Sequence, residues 1–156
     1  MAELKTNAMR MVEAHGIPYT VHGYEPGEAV DGVTAAQKIG KPPEQVYKTL
    51  VTKGKDDYYV FVIPVAEELN LKNAAKSVGE KSVEMIRVKD LNKVTGYIRG
   101  GCSPIGMKKQ FRTVIEETAI LLETFVVSAG KIGRQIELSP EALAIMLKAD
   151  FAPLIL

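Results

Sequence analysis

The middle of the chain alternates short apolar runs with short polar connections. The run YYVFVIPV, residues 58–65, is almost wholly apolar, and KGKDD, residues 53–57, separates it from a strand-like segment around Thr49–Thr52. Two β-forming runs joined by a polar, glycine-containing connection are typical of a β-hairpin. The pattern therefore predicts a central pair of strands, with Lys48 at an element boundary.

Helices are indicated where apolar residues recur at helical spacing between capping residues and glycines. Thr6 or Asn7 is the expected cap of the first helix, and Thr34 that of the second. In the last helix Ser139 takes the N-cap position and Pro140 the first helical position. The predicted helices are TNAMRMVEAHG, AAQKIG, LNLKNAAKSVG, DLNKVTG and SPEALAIMLKA.

Segments rich in β-branched and aromatic residues predict the remaining strands in YTVHGYE, VEMIRV, FRTVIEE, TFVVSAG and RQIEL. These strands interleave irregularly with the helices, without the regular strand and helix alternation of a doubly wound parallel sheet. The expected fold class is α+β. We expect a single domain over residues 1–156, with a mixed β-sheet flanked by helices.

Composition narrows the class of protein. Of 156 residues, 46% are hydrophobic and 25% charged, which is typical of a folded globular protein. No window approaches eighteen consecutive apolar residues, so we expect no membrane segment and a cytoplasmic location. Cys102 is the single cysteine and there are two histidines, so neither an internal disulfide nor a metal site is expected. No cofactor is indicated.

Charge is unevenly distributed although the net charge is only +1. Residues 87–112 hold seven basic side chains against Asp90 alone, whereas residues 113–156 hold three basic and six acidic ones. Two interpretations remain open for the basic stretch: an ordinary solvated face, or a docking surface for phosphates.

Within this basic stretch lies a glycine-rich loop, TGYIRGGCSPIGMKKQ, residues 95–110. Gly100, Gly101 and Gly106 can adopt positive φ, and Pro104 fixes φ. The loop lacks the lysine and serine or threonine ending of a nucleotide-binding P-loop. The pattern by itself leaves two alternatives, an ordinary turn or a backbone that binds a ligand through its amides.

Few side chains suggest catalysis. Lys48 lies among apolar residues, so its ammonium is either partly desolvated or that of an ordinary surface lysine. Cys102 and Ser103 have no neighbouring base in the sequence that would make them nucleophiles, and a Ser-His-Asp triad is not indicated. Tyr24 is either a pocket residue or a half-buried strand residue.

Five segments, in this order, carry a resemblance that covers nearly the whole chain: QVYKTLV, IPVAEELNLKNAAKSVGEKSVEM, TGYIRGGCSPIGMKK, TVIEE and VVSAGKIGRQIELSPEALAIML. They closely resemble the YbaK/EbsC family of aminoacyl-tRNA deacylases. Members of that family are similar to the editing insertion domain of bacterial prolyl-tRNA synthetase. The lysine of VYKTL and the GG-x-SP-x-G loop are the most specific signals.

The resemblance implies roles for individual residues. Lys48 matches the lysine on which activity depends in the family, where a cation stabilises developing negative charge. The residues that match the aminoacyl pocket are Gly100, Gly101, Ser103 and Pro104 in the loop, and Tyr24, Thr49, Ser128 and Gly130 elsewhere.

The implied activity is trans-editing of mischarged Cys-tRNA(Pro), with Cys-tRNA(Cys) as a further candidate substrate and prolyl-tRNA synthetase as a candidate partner. In cysteine-specific members the substrate thiol is thought to attack its own ester carbonyl. Two departures concern the pocket: Cys102 stands where relatives carry an apolar residue, and Gln135 where a close relative carries an acidic one. The alternatives are an Ala-tRNA(Pro) deacylase and a non-catalytic module that binds tRNA or a protein.

Overall fold

A five-stranded sheet forms the centre of the computed structural model, which describes residues 5–25 and 30–156. Its strand order is β4, β2, β3, β5, β8. Strands β2 and β3 are antiparallel, whereas β3, β5 and β8 run parallel, so the sheet is mixed. The bounds are β2 Tyr47–Lys53, β3 Tyr58–Pro64, β4 Glu84–Met85, β5 Arg112–Glu116 and β8 Asp150–Ala152.

A second sheet of three antiparallel strands has the order β1, β7, β6. Its strands are β1 Thr20–Gly23, β6 Phe125–Lys131 and β7 Arg134–Leu138. An isolated parallel bridge between Val46 and Val126 joins it to the large sheet just before β2 begins. The mixed sheet with flanking helices confirms the α+β prediction, but the strands are divided between two sheets where one was expected.

Five α-helices surround the sheets in the described part of the chain: α1 Asn7–Ala14, α2 Gly32–Ile39, α3 Leu71–Val78, α4 Val88–Thr95 and α5 Pro140–Leu147. Thr6 and Ser139 cap α1 and α5 through their side chains, as the sequence predicts. Asn70 caps α3 in the same way. The prediction for α2 is wrong in detail. Asp31 caps that helix by accepting a hydrogen bond from the amide of Thr34, so the helix begins earlier than AAQKIG.

Two further details differ from the sequence prediction. VEMIRV forms only the short strand β4, because α4 already begins at Val88. Strand β8 was not predicted: its three residues add to the edge of the sheet beside β5. Strand β2 begins at Tyr47, which makes Lys48 its second residue.

The large sheet is covered on both faces. On one face α3 packs Ala74, Ala75 and Val78 against Phe61 and Ile63. The main core contains residues of α1, α5, the small sheet and the glycine-rich loop. Within the described ranges, none of the helices has the length and apolar character needed to span a bilayer.

Candidate active site

A cleft of about 980 Å³ lies beside β2, between the two sheets. One wall is formed by the start of α2, and the other by α4 and the glycine-rich loop. The strand β2 provides one surface and the strands β6 and β7 another. The predicted site residues that line the cleft are Tyr24, Lys48, Thr49, Gly100 and Ser128.

The edge of β2 presents free backbone groups to this cleft. Backbone groups of an antiparallel strand point alternately to its two sides. The carbonyl of Val51 accepts a hydrogen bond from the amide of Ile86, on the side away from β3 (3.2 Å). Thr49 precedes Val51 by two residues, so its amide and carbonyl point to the same side. Among the described residues, β4 pairs only with the last two residues of β2 and β6 bridges only Val46, so no strand pairs with Thr49 on this side.

The side chain of Thr49 is also unusual. Its hydroxyl oxygen is buried and has no hydrogen-bond partner among the described residues. A buried polar atom without a partner costs about 1–3 kcal/mol, so native proteins contain few of them. The hydroxyl without a partner therefore marks Thr49 as a candidate contact for a group bound in the cleft.

Lys48 is partly buried in the wall of the cleft. Burial lowers the pKa of its ammonium, and the nearby carboxylates of Glu68 and Glu67 oppose this change. A partly desolvated cation interacts more strongly with an anionic group than a fully hydrated one does, because the local dielectric constant is lower. Lys48 therefore has the properties expected of a group that stabilises developing negative charge.

The glycine-rich loop is held closely against its surroundings. Gly100 has a φ of 87° and lines the cleft. A Cβ atom on Gly101 would lie 3.1 Å from the amide nitrogen of Ile132, in the turn between β6 and β7. On the other side, the hydroxyl of Tyr97 donates a hydrogen bond to the carbonyl of Ile105 (2.5 Å). These contacts fix the position of the loop backbone beside the cleft.

Four predicted site residues do not line the cleft directly: Gly101, Ser103, Pro104 and Gly130. Ser103 is fully buried, and its hydroxyl accepts a hydrogen bond from the amide of Ile105 (3.2 Å). Gly130 has a φ of 100° and packs against Tyr97, and its amide donates to the hydroxyl of Ser128 (3.1 Å). These residues shape the loop and the end of β6, and their roles in binding stay predictions.

Cys102 lines the cleft but is 9% exposed. Burial raises the pKa of its thiol to about 12, although a hydrogen bond with Thr95 opposes the change. The thiolate is the nucleophilic form of cysteine, so this side chain stays unreactive at neutral pH.

Sequence reasoning did not assign several residues to the cleft. Gln135 was noted only as a departure from the family, yet it lines the cleft with a buried side-chain oxygen that has no partner in the described structure. Arg87 and Arg99 line the wall formed by α4 and the loop. The sequence signal for these two arginines is the basic stretch, but the stretch does not indicate which of its residues face the cleft.

A polar network around Glu137 was also missed. Its carboxylate accepts hydrogen bonds from Thr124 (2.6 Å), His22 (2.7 Å) and Gln45 (3.2 Å), and it forms an ion pair with Lys41 (3.1 Å). Burial by itself raises the pKa of Glu137, but the bonds from Thr124, His22 and Lys41 outweigh it and lower the pKa to about 2. The network ties the small sheet to the turn that precedes β2, and hence to Lys48.

Comparison with known proteins identifies the family. The model of the aminoacyl-tRNA editing domain matches residues 26–145. This chain belongs to that family. The loop and all the residues that line the cleft except Tyr24 lie within the matched range. The family resemblance drawn from the sequence is confirmed.

Two named relatives match this chain over very different shares of their own length. A protein of Enterococcus faecalis, named as a candidate Cys-tRNA(Pro)/Cys-tRNA(Cys) deacylase, EbsC, is 50% identical over 95% of this chain and 92% of its own length. The proline–tRNA ligase of Thermosipho melanesiensis is 26% identical over 62% of this chain. That match spans only 17% of the ligase, so it concerns one part of a much larger enzyme.

Two solved structures have the same fold as this chain. A candidate trans-editing enzyme for prolyl tRNA synthetase superposes with a TM-score of 0.85 over 99% of both chains, at 22% identity. The hypothetical protein APE2540 gives a TM-score of 0.85 over 94% of this chain and 97% of its own, at 21% identity. At this level of identity the structures establish the fold.

Proposed function

We propose that this protein is a trans-editing deacylase that hydrolyses mischarged Cys-tRNA(Pro), with Cys-tRNA(Cys) as a second substrate. The observation that carries the proposal is the arrangement at the edge of β2. There the partly buried ammonium of Lys48, the unpaired groups of Thr49 and the loop at Gly100 all border one cleft. The name of the 50% identical relative supports the same substrates.

The chemistry needs little from the protein, because an aminoacyl ester is already activated. Positioning of the ester and stabilisation of the oxyanion are sufficient to accelerate its cleavage. We place the ester carbonyl near Lys48, whose cation stabilises the negative charge that develops on the carbonyl oxygen. The free amide at Thr49 and the backbone at Gly100 are the candidate hydrogen-bond donors of this site.

The nucleophile in this proposal is the thiol of the substrate. Its sulfur attacks the ester carbon and forms a four-membered thiolactone, and the 3′ oxygen of the tRNA leaves with a proton. Water then opens the thiolactone and releases free cysteine. The buried, protonated thiol of Cys102 takes no part in these steps.

This mechanism also gives selectivity. A pocket separates side chains that differ by one methylene by only about 1–3 kcal/mol, so size is a weak filter between small amino acids. Alanine has no thiol and serine has a less nucleophilic hydroxyl, so only cysteine supplies an effective nucleophile. Recognition of tRNA(Pro) is assigned to a prolyl-tRNA synthetase partner, and the cytoplasm, where charged tRNA is used, is the compartment we propose.

The test is hydrolysis of Cys-tRNA(Pro), Ala-tRNA(Pro) and Ser-tRNA(Pro) side by side, each with a labelled amino acid. The proposal predicts rapid loss of cysteine and little loss of alanine or serine. Preferential loss of alanine would instead assign the protein as an Ala-tRNA(Pro) deacylase. No turnover of any substrate, together with binding of tRNA, would indicate a non-catalytic module.

A further inference from the structure

One wall of the cleft carries a concentration of exposed positive charge. The basic rim, as we call it, consists of Arg87, Lys89, Lys93, Arg99 and Lys108, all of them exposed. Arg87 precedes α4 and Arg99 belongs to the glycine-rich loop, and both line the cleft. The lysines lie on the outer surface of the same helix and loop.

The charges of the rim are only partly neutralised within the protein. Asp90 is the single acid in residues 87–112, and it pairs with Arg87 at 3.6 Å and with Lys93 at 3.7 Å. The side chains of Arg87 and Lys93 are 74% and 77% exposed, so these pairs are solvated and weak. Arg99 has no ion-pair or hydrogen-bond partner among the residues that the structure describes.

The other borders of the cleft do not share this charge. Beside Lys48 lie the carboxylates of Glu67 and Glu68, which repel a phosphate. On the side of α2, the cap residue Asp31 lines the cleft, and Lys38 in the last turn of the helix carries the opposite charge. Among the described residues, the potential around the cleft is therefore most positive on the side of α4.

A tRNA whose aminoacyl ester occupies the cleft must leave it over one of these borders. Each nucleotide next to the ester carries a phosphate, and contacts between phosphates and Lys or Arg supply most of the sequence-independent affinity for nucleic acid. Two exposed aliphatic side chains, Val88 at 61% and Ile98 at 56%, stand next to Arg87 and Arg99. They offer an apolar surface for a ribose or a base beside the phosphate contacts.

We propose that the basic rim binds the phosphates of the single-stranded 3′ end of tRNA, so that the strand crosses α4 and enters the cleft between Arg87 and Arg99. This inference rests on the proposed function for the position of the ester. The rim supplies affinity and direction, and Lys48 supplies the chemistry. Loss of the rim therefore weakens binding of tRNA much more than it slows hydrolysis of a small ester.

The experiment compares the double variant R87E/R99E with the matched control K72E/K76E. Lys72 and Lys76 are exposed on α3 and do not line the cleft, so the control makes the same change in net charge elsewhere on the surface. Binding of labelled, uncharged tRNA(Pro) is measured by fluorescence anisotropy over a series of salt concentrations. We expect R87E/R99E to weaken binding by on the order of tenfold or more at low salt, and K72E/K76E to change it far less.

Salt dependence gives a second readout. Each lost contact to single-stranded phosphate should reduce the slope of log K against log salt concentration by about 0.7. Equal affinities and equal slopes for the two double variants would overturn the proposal, as would failure of the unaltered protein to bind tRNA at low salt.

Turnover separates this inference from the proposed function. For Cys-tRNA(Pro), R87E/R99E should raise KM with little change in kcat. Its loss in kcat/KM should be much smaller with 3′-O-cysteinyl-adenosine, which lacks the neighbouring phosphates. An equal loss of kcat/KM with both substrates would show that the arginines act at the reacting ester. It would overturn the proposal that the basic rim binds phosphates. If neither the unaltered protein nor the variants hydrolyse either substrate, the proposed function is wrong. The comparison of tRNA binding then still decides whether the basic rim binds tRNA.

Discussion

At the scale of single residues, the site depends on backbone groups and one cation. Thr49 contributes an unpaired hydroxyl and the amide of an open strand edge, and Lys48 a partly desolvated ammonium. Neither would be recognised from residue type alone, because threonine and lysine are common in strands and on surfaces. What distinguishes them is their position beside a cleft that the fold opens between two sheets.

A variant at Cys102 tests whether the protein itself supplies a nucleophile. Its thiol is buried and its pKa is raised to about 12, so it is protonated at neutral pH. Substitution Cys102→Ser should keep kcat/KM for Cys-tRNA(Pro) within about threefold, because an inert group contributes nothing to transition-state stabilisation. The check is steady-state kinetics of the purified variant. Complete loss of activity in a folded variant would identify an enzyme thiol and contradict the mechanism.

The pH dependence tests the charge of Lys48. Burial lowers its pKa, so the cation is lost at a lower pH than the value of about 10.4 of an ordinary lysine. Activity that needs the cation is present below this lowered pKa and falls as the pH rises through it. We expect kcat/KM, corrected for spontaneous ester hydrolysis, to decline on the alkaline side below pH 10.4. A rate that stays constant through this range would exclude a role for the ammonium charge.

At the scale of elements, the glycine-rich loop works because it lies against the turn between β6 and β7. A Cβ on Gly101 would meet only backbone atoms there, at 3.1 Å from Ile132 and 3.4 Å from the Cα of Lys131. A backbone cannot move aside as a flexible side chain can. The loop can therefore lie this close to the small sheet only because Gly101 has no side chain.

Substitution Gly101→Ala should move the loop away from this turn. We expect a loss of about 1–3 kcal/mol in the free energy of unfolding, as for other overpacked sites, together with a lower kcat/KM for Cys-tRNA(Pro). Ser139→Ala is the control, because it removes the N-cap of α5 at a cost of about 1 kcal/mol away from the cleft. If both variants lose stability but neither loses activity, the loop has no part in the reaction.

The sequence predicts elements well where local signals decide them. The caps Thr6 and Ser139 and the hairpin of β2 and β3 are local features, and the structure contains them. Strand β8 was missed because three residues gain their strand conformation only by pairing with β5, which lies far away in the sequence. The separation into two sheets likewise depends on pairing between distant strands.

The residues of the cleft also divide into those that a sequence pattern identifies and those that only the fold brings together. The resemblance to a known family picked out Lys48 and Gly100, because both belong to specific motifs. Gln135 and Arg99 were not assigned, since no local pattern tells which side of a loop or strand faces a cavity. The Glu137 network joins residues from β1, β7 and the turn before β2, and no local pattern brings these together.

At the scale of the whole molecule, this network links the small sheet to the turn that leads into β2. Glu137→Gln keeps the size of the side chain and removes its charge, and we expect it to lower the free energy of unfolding by about 2 kcal/mol at pH 7. The pKa of Glu137 in the folded protein, about 2, lies below the ordinary value. The carboxylate therefore contributes stability above its unfolded pKa, and this contribution is lost as the pH falls from about 5 towards 2.

Urea unfolding of the protein and of Glu137→Gln at pH 7, 5 and 3 measures this contribution. The difference between them should shrink as the pH falls. The control is Glu123→Gln, because Glu123 is exposed and takes no part in the network. A difference that stays the same from pH 7 to pH 3 would show that the charge of Glu137 does not stabilise the fold.

The cleft beside β2 is proposed to cleave Cys-tRNA(Pro) with the help of the Lys48 cation. The most direct measurement is single-turnover hydrolysis of Cys-tRNA(Pro) by the unaltered protein, by Lys48→Ala and by Lys53→Ala, since Lys53 is an exposed lysine at the other end of β2. We predict that Lys48→Ala reduces the rate by about 10²-fold or more and that Lys53→Ala leaves it almost unchanged. Equal rates for Lys48→Ala and the unaltered protein would exclude the Lys48 cation from the reaction.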